Sequence, residues 1–108
     1  MLRIDEVLLR CRVEEADLGS WIARDWVRPV RQDGDWRFAD HDVARIELIC
    51  DLVHDLAVDA DALDIILPLV DQVYALRRSL RAMTRAVEAL PAASRRRVLD
   101  RLAQRPEE

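Results

Sequence analysis

Few residues in this chain have the types and spacing that catalysis or metal binding requires. His41 and His54 are the only histidines, and neither lies near a serine or cysteine nucleophile in a recognisable motif. Cys50 and His54 are four residues apart on a predicted helix, but two ligands do not make a metal site. The chain has no glycine-rich phosphate-binding loop. We therefore predict a protein that is not an enzyme and that holds no metal and no cofactor.

The residues that do repeat with a regular spacing are carboxylates. Glu47, Asp51 and Asp55 recur at every fourth position of a predicted helix, and Asp59 and Asp61 extend this acidic surface beyond it. We refer to these residues as the acidic stripe. Such a stripe can be an ordinary solvated helix surface, or it can bind a basic partner helix of complementary charge.

A second charged group surrounds the second predicted helix and the hairpin that follows it. It consists of Arg24, Arg28, Arg31 and Arg37. Arginines in these places could contact the phosphates of DNA. Against this interpretation, residues 1–57 carry 8 Arg and 13 Asp and Glu. Three of those acids open the second helix, where they would repel phosphate.

Composition limits the class of protein and its compartment. A chain of 108 residues is sufficient for one small domain. It contains no apolar run near the ~20 residues that a membrane span requires, and its acidic N-terminus does not resemble a signal peptide. Cys11 and Cys50 are therefore expected to be reduced thiols in the cytoplasm. The use of 17 Arg and no Lys suggests a bacterial genome rich in G and C.

The hydrophobic periodicity is helical over most of the chain. It predicts helices over residues 5–10, 14–24 and 41–56. Asp40 is the expected N-cap of the third helix. Asp33-Gly34, between two short extended segments, predicts a β-hairpin. Four of the five aromatic residues lie at or near this hairpin, and we interpret them as the core of a small head rather than as a base-stacking surface.

The last long helix carries the clearest pattern, with apolar residues at alternating intervals of four and three. The series is Ala62, Ile66, Leu69, Val73, Leu76, Leu80, Met83, Val87 and Leu90. A helix of about 43 Å cannot bury this apolar stripe against the small head, and so a homodimer through the stripe is expected. The other possibility is a core helix within a single chain. Pro68 should either kink the helix or mark its start.

Together these elements predict a mainly α-helical fold. A winged helix-turn-helix head with a small β-hairpin wing occupies residues 1–58, and a long heptad-patterned dimerisation helix, a coiled coil, occupies residues 59–90. The tail, residues 91–108, begins with a helix-breaking proline. Within it residues 95–104 could form a short basic helix, and residues 105–108 are expected to be disordered.

Three segments of the chain resemble the CbpM family of chaperone modulators, which shares the MerR-like winged-helix fold. They are Trp36–His41 (WRFADH), His54–Asp59 (HDLAVD) and Ile66–Arg77 (ILPLVDQVYALR). The resemblance extends over about residues 4–90. The chain departs from the family pattern at Arg12 and Asp25, where glycine is common, and at Glu14, where Ser or Thr is usual. Asp25 is therefore expected to adopt a left-handed conformation.

The resemblance implies a function and a set of partners. Members of this family are non-enzymatic dimers that bind the J-domain of a CbpA-like, DnaJ-type co-chaperone and inhibit its stimulation of a DnaK-type chaperone. J-domains contact DnaK through a basic helix, and so the acidic stripe becomes the candidate binding surface for that helix. The apolar stripe from Ile66 to Leu90 becomes the candidate dimer interface.

The residues leave two other functions open. A MerR-like DNA-binding transcriptional regulator would place the second helix of each protomer in successive major grooves, with the four arginines on phosphates. A protein that only dimerises, or that acts as a scaffold, would need nothing beyond the apolar stripe. Binding to DNA through several arginines should fall steeply as salt rises, which distinguishes a regulator from the other two.

Overall fold

The computed structural model of the chain describes residues 1–104. It is mainly helical, with a small antiparallel sheet in the N-terminal part and a long helix after it. The predicted fold class, a winged helix-turn-helix head followed by a long helix, is therefore confirmed. Residues 105–108, for which the sequence predicts disorder, lie outside the described residues. Within residues 1–104 no helix is both long enough and apolar enough to cross a membrane.

The chain forms two compact units that differ in charge. The first unit is Met1–Leu67, and the second begins at Pro68. Residues 1–67 carry 8 Arg against 16 Asp and Glu, whereas residues 68–104 carry 8 Arg against 3 Asp and Glu. Negative charge is thus concentrated in the first unit and positive charge in the second.

The helix-turn-helix consists of α1 (Ile4–Cys11) and α2 (Glu15–Ala23). Arg12 joins the two helices in a left-handed conformation, with φ of 54°. Asp25 follows α2 with φ of 63°, which confirms the left-handed conformation predicted for it. Both residues occupy positions where glycine would adopt the same backbone without steric cost.

The wing is a three-stranded antiparallel sheet in the order β1-β3-β2. Its strands are β1 (Leu2–Arg3), β2 (Val30–Gln32) and β3 (Asp35–Phe38). The predicted turn is present, since Asp33 and Gly34 both have positive φ, at 54° and 81°, as a tight hairpin turn requires. The sequence did not indicate β1, because two residues are too few to show an alternating pattern.

The third helix differs from its prediction at both ends. α3 spans Asp40–Cys50, so the prediction that Asp40 is its N-cap is wrong. Ala39 occupies the cap position. The buried carboxylate of Asp42 accepts a hydrogen bond from the backbone amide of Ala39 at 2.9 Å. The predicted continuation to residue 56 is also wrong as an α-helix, because residues Asp51–Asp55 form a π-helical turn.

The C-terminal helices are α4 (Ala60–Glu88) and α5 (Ala92–Ala103). Asp59 caps α4, since its Oδ1 accepts the amide of Ala62 at 2.8 Å. Pro68 lies inside α4 and therefore does not start it. Leu90 lies beyond the end of α4, so the long helix predicted over residues 59–90 ends two residues earlier than expected.

The core of the first unit joins the helix-turn-helix, the wing and the start of α4. Its buried aromatic residues are Trp21, Trp26 and Phe38, which confirms their interpretation as core, whereas Trp36 is only partly buried. Leu63 and Leu67 are each 1% exposed. The first two turns of α4 therefore belong to this core, and their burial stabilises the head.

Candidate functional site

The acidic stripe lies on the surface of the first unit. All of its carboxylates, Glu47, Asp51, Asp55, Asp59 and Asp61, are on exposed residues. They come from three consecutive elements, which are α3, the π-helical turn and the first residues leading into α4. A macromolecular partner could therefore reach each of these residues.

The π-helical turn changes the spacing within the stripe. In this turn the amide of Leu56 donates to the carbonyl of Asp51 at 3.1 Å, five residues earlier rather than four. Asp55 is therefore displaced around the helix axis from the row that Glu47 and Asp51 define. The turn ends at Asp55, and two residues later Ala57 adopts a left-handed conformation with φ of 53°. π-helical turns of this kind are found frequently at functional sites.

Carboxylates on α3 and on the turn that follows it raise the pKa of two thiols. Cys11 ends α1 and Cys50 ends α3, and both are free and partly buried. Burial raises the pKa of each thiol, and the charge of Glu47 raises both further. For Cys50, the Cys11 thiol, Asp51 and Asp17 also raise the pKa. Because a raised pKa lowers the fraction of thiolate, both cysteines are expected to react more slowly at neutral pH than freely exposed thiols.

Asp17 belongs to this acidic surface, although the sequence analysis missed it there. The sequence places Asp17 in the first turn of α2, where an acid is explained by the helix dipole alone. The tertiary fold brings its charge within electrostatic range of Cys50. No spacing rule relates position 17 to position 50, and so sequence periodicity carried no signal for this neighbour.

An exposed apolar side chain accompanies the later part of the stripe. Leu56, between Asp55 and Asp59 in the sequence, is 67% exposed. One oxygen of Asp59 is already used in capping α4. The stripe therefore offers carboxylates beside an exposed leucine, which is an arrangement that suits an amphipathic basic helix.

Arg24, one of the four arginines that could contact DNA, is held within the head. Its Nη1 lies 3.7 Å from Oδ2 of Asp64, and its guanidinium lies 5.2 Å from the ring centroid of Trp26. Trp26 Nε1 in turn donates to Oδ1 of Asp64 at 2.7 Å. These contacts connect the end of α2 with the start of α4. The guanidinium of Arg24 is thus already paired with a carboxylate within the head, which makes it less available to a DNA phosphate.

Two more of these arginines make contacts within the wing. Arg31 donates to the carbonyl of Gly34 at 3.1 Å and lies 4.4 Å from the ring centroid of Trp36. Arg37 donates to the carbonyl of Trp36 at 3.2 Å. Arg28 is exposed and makes no such contact with the described part of the chain. Arg28 is therefore the member of the group that is most available to an external anion.

The apolar stripe of α4 changes character along the helix. Its middle members are 45–69% exposed, namely Leu69, Val73, Leu76, Leu80 and Met83. Ile66 and Val87 are partly buried, and Leu90 lies outside the helix. The residues of α4 that are buried in the head, Leu63 and Leu67, are not members of the stripe, and the heptad analysis missed them. α4 thus has one apolar face in the core and a second apolar face on the surface.

The described residues contain no cluster suited to a metal ion. Within residues 1–104, no group of three or more His, Cys, Asp or Glu side chains is placed to hold one. His54 lies in the π-helical turn and is exposed, while Cys50 is partly buried. The pair that the sequence placed on one α-helix therefore spans the change from α to π geometry.

Comparison with known protein families places most of the chain in one of them. A sequence model described as "MerR HTH family regulatory protein" matches residues 2–85. The matched region contains the head and most of α4, and it ends before α5. Neither the curated proteins nor the solved structures gave a significant match to this chain.

Proposed function

The chain belongs to the MerR HTH family of regulatory proteins, and from this premise we propose that it is a non-enzymatic chaperone modulator of the bacterial cytoplasm. Its partner is the J-domain of a DnaJ-type, CbpA-like co-chaperone, whose stimulation of a DnaK-type chaperone it inhibits. The step from the family to this role rests on the CbpM-like segments Trp36–His41, His54–Asp59 and Ile66–Arg77.

The exposed acidic stripe is the observation that carries the proposal. A J-domain binds DnaK through a basic helix, and a competitor must offer negative charge to the same helix. Residues 1–67 carry 16 Asp and Glu against 8 Arg, and so the first unit attracts a basic helix before contact. Leu56, at 67% exposure, supplies an apolar contact at the edge of the stripe.

A homodimer through the exposed part of the apolar stripe is also part of the proposal. Exposed leucines at heptad spacing are rare on a monomer surface, because a continuous apolar face in water is unfavourable. A second α4 would cover Leu69, Leu76 and Leu80 by knobs-into-holes packing. The dimer would then carry two acidic stripes.

Reversing charge in the stripe tests the binding surface. We expect Asp51→Lys combined with Asp55→Lys to weaken J-domain binding by more than about tenfold, since charge pairs contribute on the order of 1–3 kcal/mol. Isothermal titration calorimetry at two salt concentrations measures both the affinity and its salt dependence. The parent should lose affinity as salt rises, and the double variant should lose much less.

The matched control changes the same net charge elsewhere. Asp35 on β3 and Glu88 at the end of α4 are both exposed, and Asp35→Lys combined with Glu88→Lys should leave J-domain affinity within about twofold of the parent. The proposed surface is wrong if the stripe variant binds as the parent does, or if the control variant loses as much affinity as the stripe variant.

The helix-turn-helix family also supports a second candidate, a DNA-binding transcriptional regulator. Arg28, exposed beside the helix-turn-helix, is the residue that favours it. Fluorescence anisotropy with genomic DNA fragments tests this candidate, since a regulator should bind with a steep salt dependence that Arg28→Ala reduces. Binding to DNA without binding to a J-domain would replace the chaperone proposal with this one.

A further inference from the structure

Helix α5 lies outside the part of the chain that the family shares. The family match ends at residue 85, whereas α5 spans Ala92–Ala103. The unit that contains α5 is basic, with 8 Arg against 3 Asp and Glu over residues 68–104. Half of these arginines lie on α5 itself, at Arg95, Arg96, Arg97 and Arg101. The shared fold therefore accounts for neither the presence of this helix nor its charge.

One face of α5 carries a shallow, wide-open depression, which we call the groove, with a charged edge and an apolar edge. The groove is lined by Ser94, Arg97, Val98, Arg101 and Leu102. These residues recur at intervals of three and four, which places them on one side of the helix. Arg97 and Arg101 form one row along the groove, and Val98 and Leu102 form the neighbouring row.

Most of this groove is accessible, although Val98 is partly buried and Arg97 Nη2 donates to Ser94 Oγ at 3.5 Å. Leu102 is 61% exposed, and neither Arg97 nor Arg101 forms an ion pair with any described residue. Arg95 differs, because it donates to the carbonyl of Glu88 at 3.4 Å and so supports the C-terminal end of α4. Among the described residues, the two guanidinium groups next to this exposed leucine therefore have no carboxylate partner.

We propose that this groove binds an amphipathic acidic helix of a partner protein. Carboxylates of the partner would pair with Arg97 and Arg101, because a guanidinium binds a carboxylate through two parallel hydrogen bonds. Apolar side chains of the same partner helix would pack on Val98 and Leu102 in the ridges-into-grooves manner. The acidic stripe is proposed to bind a basic helix, whereas the groove on α5 would bind an acidic one. This inference therefore does not depend on J-domain binding.

The composition of the groove favours a protein partner over nucleic acid. DNA backbone binding gains from arginines but gains nothing from covering Val98 and Leu102 with phosphates. Binding to single strands would use aromatic side chains for base stacking, and α5 has none. An acidic helix with one apolar side satisfies both edges of the groove.

The test uses synthetic helical peptides and the full-length protein. The probe is a fluorescein-labelled peptide of about 20 residues with one row of Glu and an adjacent row of Leu at helical spacing. One control peptide replaces Glu by Lys, and another replaces Leu by Gln. We expect anisotropy to detect binding of the Glu/Leu peptide and at least about tenfold weaker binding of either control.

Variants of α5 provide the matched comparison. Arg101→Glu should weaken binding of the Glu/Leu peptide about tenfold, and Leu102→Asn should weaken it severalfold. Arg96→Glu makes the same charge change at an exposed position of α5 outside the groove and should change the affinity less than about twofold. Far-UV circular dichroism checks that each variant retains its helix content.

Three results would overturn the inference. The first is no binding of the Glu/Leu peptide at millimolar concentration. The second is an equal loss with Arg96→Glu and Arg101→Glu, which would indicate general charge attraction rather than a groove. The third is binding of duplex DNA or of anionic lipid vesicles as tight as that of the peptide and equally sensitive to Arg101→Glu.

Discussion

At the scale of single residues, the reactivity of the two cysteines depends on the charges around them. Burial raises the pKa of both thiols, and neighbouring carboxylates raise it further. A raised pKa lowers the fraction of thiolate at a given pH, and the thiolate is the reacting form. We therefore expect iodoacetamide at about pH 8 to alkylate Cys11 and Cys50 more slowly in the folded protein than in the urea-unfolded chain.

The same reaction tests the position of Asp17. In a Cys11→Ser background, Asp17→Asn should increase the alkylation rate of Cys50 about twofold, because removing a negative charge lowers the pKa of the thiol. Mass spectrometry of the modified protein measures the rate. The control is Asp61→Asn, because the Asp61 carboxylate is not among the charges that raise the pKa of either thiol. Equal rates in the Asp17 variant and its parent would place Asp17 away from Cys50.

Asp64 is a residue whose contribution to stability can be isolated. Its carboxylate accepts a hydrogen bond from Trp26 at 2.7 Å and lies 3.7 Å from Arg24. Since Asp64 is half exposed, we expect Asp64→Ala to cost about 1 kcal/mol rather than the larger value of a buried charge. Urea unfolding followed by tryptophan fluorescence measures this loss in the free energy of unfolding. The control Asp61→Ala should lower that free energy by only about 0.3 kcal/mol.

At the scale of elements, α4 has two apolar faces with different roles. Leu67 is 1% exposed in the core, whereas Leu76 is 69% exposed. Leu67→Ala should lower the free energy of unfolding by about 2–5 kcal/mol, because it leaves a cavity in the head. Leu76→Ala, measured at protein concentrations where the chain is monomeric, should change it by less than about 0.5 kcal/mol. Similar losses for the two variants would contradict this division of the helix.

At the scale of the whole molecule, the charge along α4 predicts how two chains pair. Its first half contains three carboxylates and no arginine, whereas its second half contains four arginines and one carboxylate, Glu88. An antiparallel pair brings the acidic half of each helix to the basic half of the other, whereas a parallel pair brings like charges together. We therefore expect an antiparallel homodimer, which Leu76→Asp combined with Leu80→Asp should convert to a monomer in analytical ultracentrifugation.

Cross-linking distinguishes the two orientations. In a background with Cys11→Ser and Cys50→Ser, chains carrying Leu69→Cys are mixed with chains carrying Met83→Cys. An antiparallel pair centred near Leu76 should form disulfides mainly between the two different chains, because positions 69 and 83 then face each other. Disulfides mainly between identical chains would show parallel pairing, and a monomer at micromolar concentration would remove the proposed interface.

The sequence by itself determined the features that depend on local spacing. The heptad series of α4 and the Asp33-Gly34 turn follow from local spacing over a few residues, whereas the left-handed Asp25 was expected from the family resemblance, and the structure has each of them. The acidic stripe and the basic character of α5 are likewise visible in the residue order, because exposed charges require no particular tertiary neighbour.

Only the tertiary structure decided which residues at distant positions meet. The charge of Asp17 acts on Cys50, Trp26 donates to Asp64, and Leu67 enters the core. Each of these relations joins separate elements, and helical periodicity extends only along one element. The change from α-helix to π-helical turn at Asp51 was likewise not indicated by the helical periodicity of residues 41–56.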